Sequence, residues 1–183
     1  MSQPPAAAEQ LLEFWFSDES RARWFDSTPE FDDRLRDAWL GLWQQARDGE
    51  LGDWEGSARG ALALVIVLDQ LPLNMFRGRP ESFSTERAAC AVAGRAIDRG
   101  FDQQLEEGER VFLYLPYMHS EEIAVQECSV AMFEAAGMDP KWARHHRDIV
   151  ARFGRFPHRN AILGRTSTAE ELTWLASDEA FGG

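Results

Sequence analysis

Three polar stretches hold the residues of this chain whose types and spacing could do chemistry. The first runs from Asp69 and Gln70 through Asn74 to Arg77, and the second holds His119, Ser120, Glu121 and Glu122. The third gathers Arg152, Arg155, His158, Arg159 and Asn160, followed by Arg165 and Ser167. Arginine presents a planar fork of N–H donors that matches a carboxylate or phosphate two bonds at a time. Histidine titrates near neutrality and can carry a proton. Gly154 and Pro157 interrupt the third stretch, so its side chains leave a short, irregular run of backbone. That pattern suits a small-anion site, and it equally suits a network that locks the turn.

Each stretch also has a plainer reading. Asp69 and Arg77 can pair across a turn, with Asn74 capping backbone groups. Ser120, Glu121 and Glu122 can cap the start of a helix, where acids face the positive end of the dipole. A Ser-His-acid trio invites nucleophilic chemistry, but real triads are assembled from distant segments, so adjacency argues little. His146 shares a helix face with Trp142, Ile149 and Phe153 and reads as a core histidine. His119, His146 and His158 have no diagnostic ligand spacing with Glu122 or Glu127, and neighbouring arginines oppose a cation, so no metal site is expected. The chain also lacks the phosphate-binding, dinucleotide-binding, serine-hydrolase, zinc-protease and EF-hand signatures, and no cofactor is expected.

The elements that must position these stretches read as helices from end to end. Pro5 opens one through about Phe16, and a turn follows around Arg21 to Phe25. Thr28-Pro29 starts another, in which Phe31, Leu35, Ala38, Trp39, Leu42, Trp43 and Ala46 recur at helical spacing until Gly49. Asp53 can cap the next, whose all-apolar stretch from Ala61 to Leu68 predicts a buried helix ending at Gln70 before Pro72. Residues 71–83 read as a loop, and Ser84 caps a helix to about Arg99. A further helix spans Gly108 to Tyr114 until Pro116 breaks or kinks it. Helices then run from His119 to Ala136, with Ile123, Val130, Met132 and Phe133 inward, and from Pro140 to about Phe153. Ser167 with Glu170 makes a capping box for a last helix over 168–176. The prediction is a single all-α domain over 1–183, with seven to eight helices and residues 1–4 and 178–183 frayed.

Composition narrows the partners. The chain has 183 residues, 44% of them apolar, and 11% aromatic, which argues for a packed core and against disorder. Its net charge is −12, yet 141–165 carries seven basic residues against Asp148 alone, a local +6 that leaves −18 for the rest. An acidic body repels nucleic acid and anionic membranes, so neither is expected as a partner. The basic island could instead hold a small anion or simply pair with surplus carboxylates. The longest apolar run is far short of the roughly 20 residues of a membrane span, and no signal peptide is read at the start. Cys90 and Cys128 form no metal-binding pair, so a cytoplasmic protein with free thiols is expected.

The segments Val67-Leu68-Asp69-Gln70, Asn74-Met75-Phe76-Arg77-Gly78, Leu115-Pro116-Tyr117-Met118-His119-Ser120-Glu121 and Arg152-Phe153-Gly154-Arg155-Phe156-Pro157-His158-Arg159-Asn160 stand in a recognisable order. With Leu163-Gly164-Arg165, Ser167-Thr168, Glu170-Glu171, Phe14-Trp15-Phe16 and Trp24-Phe25, the chain resembles the bacterial domain-of-unknown-function 924 family over almost its whole length. Where that family usually reads Asp-Gln-Phe-Pro-Arg-Asn, this chain has Leu71 and Leu73, and the missing arginine weakens the first stretch as an anion site. The resemblance implies a tetratricopeptide-like α-α superhelix or bundle and carries no settled activity. It makes Asp69, Gln70, Arg77, His119, Ser120, Glu121, Arg152, Arg155, His158, Arg159, Asn160 and Arg165 candidates for one surface. On that surface Arg152, Arg155 and Arg159 would hold a carboxylate or phosphate. His119 or His158 would move a proton, with Glu121 orienting it. The alternatives are a scaffold for a protein or peptide partner, and clusters that serve structure alone.

Overall fold

The computed structural model describes residues 4–178 and 180. The fraying expected at the ends therefore falls outside the described residues at 1–3, 179 and 181–183. Among the described residues there are nine α-helices and no strand, and the fold is all-α. The described residues form two compact units, 4–77 with 81–116, and 78–80 with 117–178 and 180.

The first unit holds α1 (Ala6–Trp15), α2 (Asp18–Arg21), α3 (Pro29–Arg47), α4 (Ala58–Met75) and α5 (Glu86–Asp98). It also holds all but the last two residues of α6 (Glu107–Met118). The short α2, which Ser17 caps by accepting from the Ser20 N–H, precedes the turn read around Arg21 to Phe25, and that turn follows it over 22–26. Thr28 caps α3 as its sequence foretells, accepting from the Phe31 N–H with Pro29 in the first turn. α1, α3 and α5 all pack on α4. Of the 18 residues of α4, 16 are buried, which is why its sequence is apolar all round. By length and composition α4 could cross a membrane, but 89% of that window is buried inside the protein, as in a core helix.

α4 departs from the reading at both ends, and each departure has a local cause. Its cap is Ser57, whose hydroxyl accepts from the Gly60 N–H at 3.2 Å, while Asp53 lies in a preceding 3-10 turn. Gly60 is required there: a Cβ would sit 2.2 Å from the Trp54 carbonyl oxygen. At the other end Pro72 does not stop the helix, which continues to Met75. Proline has no N–H, so inside a helix the carbonyl four residues back loses its partner. Here that carbonyl is Leu68, and the buried Thr85 hydroxyl donates to it at 2.5 Å. The Trp43 indole N–H in turn donates to Thr85 Oγ1 at 3.2 Å. Thr85 is thus spent on α4 instead of capping α5, and Ser84, expected as that cap, donates to the Glu81 carbonyl.

Replacing the Thr85 hydroxyl should therefore be felt in α4. Thr85→Val keeps the shape but leaves the Leu68 carbonyl and the Trp43 N–H without partners in a buried site. A loss of roughly 1–3 kcal/mol is expected, and Thr85→Ser should recover most of it. Urea unfolding of the three proteins checks this, and equal midpoints for Val and Thr would sink the account.

In the second unit α7 (Ile123–Ala135) packs on α8 (Lys141–Phe153), and α9 (Ala169–Leu175) follows a 3-10 turn at Pro157–Arg159. α7 starts four residues later than read, and Ile123, expected inward, is exposed, whereas Val130 and Phe133 are buried. α6 likewise runs through Pro116 to Met118 without breaking. Gly154 closes α8 at φ +70°, a left-handed conformation that L side chains rarely adopt. The capping box of α9 sits one residue later than read: Thr168 accepts from the Glu171 N–H, and Glu171 accepts from the Thr168 N–H. Ile149, Val150, Phe156 and Trp174 form the buried core here, with Phe153, Leu175 and Ala180 packed against it.

Candidate functional site

The candidate residues divide between the two units. Asp69, Gln70 and Arg77 belong to the first, and the other nine to the second. In the first, Gln70 donates to Asp69 at 2.6 Å and both are buried. Arg77 does not pair with Asp69 as expected. Its Nε donates to Asp32 Oδ2 at 2.8 Å and its Nη2 to Asn74 Oδ1 at 2.9 Å. Asp32 is buried and also accepts from the Ser27 hydroxyl, so a side chain 45 residues upstream takes the guanidinium.

The second unit brings the other two stretches together around Phe156. The Phe156 N–H donates to Glu121 Oε1 at 2.7 Å, and its carbonyl accepts from Arg165 at 3.1 Å. Arg165 also forks both oxygens of Glu121, at 2.7 and 2.9 Å. Glu121 therefore caps no helix, contrary to the reading. Ser120 does act locally, accepting from the Glu122 N–H through its hydroxyl. Burial pushes the Glu121 carboxyl up, but the Arg165 fork, the Phe156 N–H and the charges of Arg165 and Arg159 together hold it below 4.5.

The arginines are largely committed. Arg155 forks both oxygens of Glu171 at 2.7 and 2.9 Å and donates to the Thr166 carbonyl. Glu171 is only 2% exposed, and the Arg155 hydrogen bonds lead the effects that hold its carboxyl at about 2. Arg152 pairs with Glu170 at the surface at 2.8 Å. Arg159 is buried, lies over the Phe156 ring at 4.7 Å and donates to the His119 carbonyl at 3.1 Å. Glu171 is the partner the sequence reading missed, and its capping-box spacing from Thr168 is the signal that could have found it.

Two imidazoles gather on the same ring, and a third lies beside one of them. His146 meets Phe156 edge-on at 5.6 Å and lies 6.4 Å from His119, while His158 is 5.6 Å from Phe156 on its own turn. Burial, reinforced by His119, pushes His146 down to about 3. Burial first, then the Arg159 charge, pushes His158 down to about 4, so both rings are neutral at pH 7. His146 is half-buried and packs on Phe156, whereas Trp142, read on the same inward face, is 56% exposed. Among the described residues no group of three or more His, Cys, Asp or Glu side chains is placed to hold a metal ion.

Beside His158 lies an open hollow of about 370 Å³. His158 and Ser167 supply its polar wall, and Pro157, Ala161, Leu172, Leu175 and Ala180 its apolar one. Asn160, fully buried, donates to Ser167 Oγ at 3.0 Å and also hydrogen-bonds the Glu171 carboxylate, which fixes the amide that way round. With its oxygen accepting from Asn160, the Ser167 hydroxyl keeps its proton for donation. Arg152 and Arg155 do not line this hollow.

No curated protein matches the sequence. A solved structure of a protein of unknown function from Agrobacterium tumefaciens, ATU0120, is similar to it, with 40% identity and a TM-score of 0.88. The match covers 93% of this chain and 97% of that one. The model of the bacterial proteins of unknown function DUF924 matches residues 11–179, and the chain belongs to that family.

Proposed function

We propose that the second unit binds a small anionic ligand, a carboxylate or a phosphate, in the hollow beside His158. The observation that carries this is the polar wall itself. The His158 ring and a hydroxyl with a proton to donate line the same space, and the Arg159 charge acts on His158 ahead of the opposing Glu121 and the smaller Arg165 contribution. A hydroxyl donor beside a neutral ring, with the Arg159 charge close by, suits an anion's oxygen. The roles shift from those read in the sequence. Arg155 and Arg165 serve as clamps on Glu171 and Glu121, and Ser167 makes the polar contact beside the wall that His158 forms. An imidazole held near 4 is a weak proton acceptor at neutral pH, so this reading favours binding over proton transfer at His158. The tetratricopeptide-like stacking implied by the family resemblance is part of the same proposal, supported by the packing of α3 on α4, α4 on α5 and α7 on α8.

A thermal-shift panel of phosphate and simple carboxylates tests the site. A ligand at 100 times its Kd adds about 2.7 kcal/mol, which should raise Tm by about 5–10 °C in a chain of this size. The shift should vanish in His158→Ala and in Ser167→Ala and persist, from a lower starting Tm, in Arg155→Ala. A flat panel in the wild type would reject the proposal and return the question to a scaffold for a protein partner.

A further inference from the structure

We draw no further inference here: the strongest candidate, the exposed aromatic patch of the first unit where Phe25 stands edge-on to the Trp24 ring, carries nothing because nothing in the structure shows what covers it.

Discussion

Phe156→Ala should cost the second unit about 3–5 kcal/mol, the range for removing a buried phenylalanine ring. Phe156 is fully buried, and its ring is where separate parts of the unit meet. His146 comes from α8, His158 and Arg159 from the following turn, and Ile149, Val150 and Trp174 from the core beneath. The ring cannot be replaced by relaxation from one side, because the turn after α8 and α9 are tied by Arg155 and Glu171 at a fixed spacing. The main-chain bonds of Phe156 to Glu121 and Arg165 would survive the substitution, so the loss reports packing and not the ionic clamp. Phe156→Leu, which keeps most of the volume, should cost less than about 1.5 kcal/mol. Hydrogen exchange over α8 and α9 is the fitting measurement, since it reads this unit by itself. Protection unchanged in Phe156→Ala would reject the ring as the centre of the unit.

The same residue shows where sequence reasoning reaches and where it stops. The helices were legible because apolar spacing and caps are local: Thr28-Pro29, the buried stretch in α4 and the glycine after α8 are read within a few residues. The string from Arg152 to Asn160 was legible as special because packing alone does not ask for so many polar residues around two helix breakers. Its partners were not legible. Glu121 looks like a helix-capping acid beside Ser120, but its oxygens are taken by Arg165, 44 residues on. Arg77 lies eight residues from Asp69 but finds Asp32. Pro72 reads as a stop, and continues as helix only because Thr85 answers the Leu68 carbonyl across 17 residues. In each case a local rule was overridden by a side chain brought in by the tertiary fold. Ser167 reads in the sequence as a helix cap and Leu172 carries no motif, and their place on the hollow emerges only when α9 is set beside the turn.

Acid should unfold the second unit earlier than a carboxylate-only account allows, with the loss of stability beginning near pH 6.5. His146 at about 3 and His158 at about 4 both lie below the 6.5 of an unfolded histidine. The unfolded chain therefore binds protons first as pH falls, and each ring's contribution, complete above 6.5, is withdrawn between 6.5 and its folded value. The slope is about 1.4 kcal/mol per pH unit for each ring that stays neutral, and partial solvent access reduces it, so about 2–4 kcal/mol should be gone by pH 4.5. The carboxylates act in the next window down. Glu171, held at about 2, and Glu121, held below 4.5, contribute stability above the unfolded value that is lost as pH falls from about 4.5. Replacing His146 by leucine should remove about half of the loss between pH 6.5 and 4.5 and leave the lower arm untouched. Hydrogen exchange at pH 7, 6, 5 and 4.5 separates the two windows. A wild-type opening free energy over α8 that is flat down to pH 4.5 would mean the imidazoles are not shielded by Phe156, and would remove the basis for a neutral His158 on the hollow.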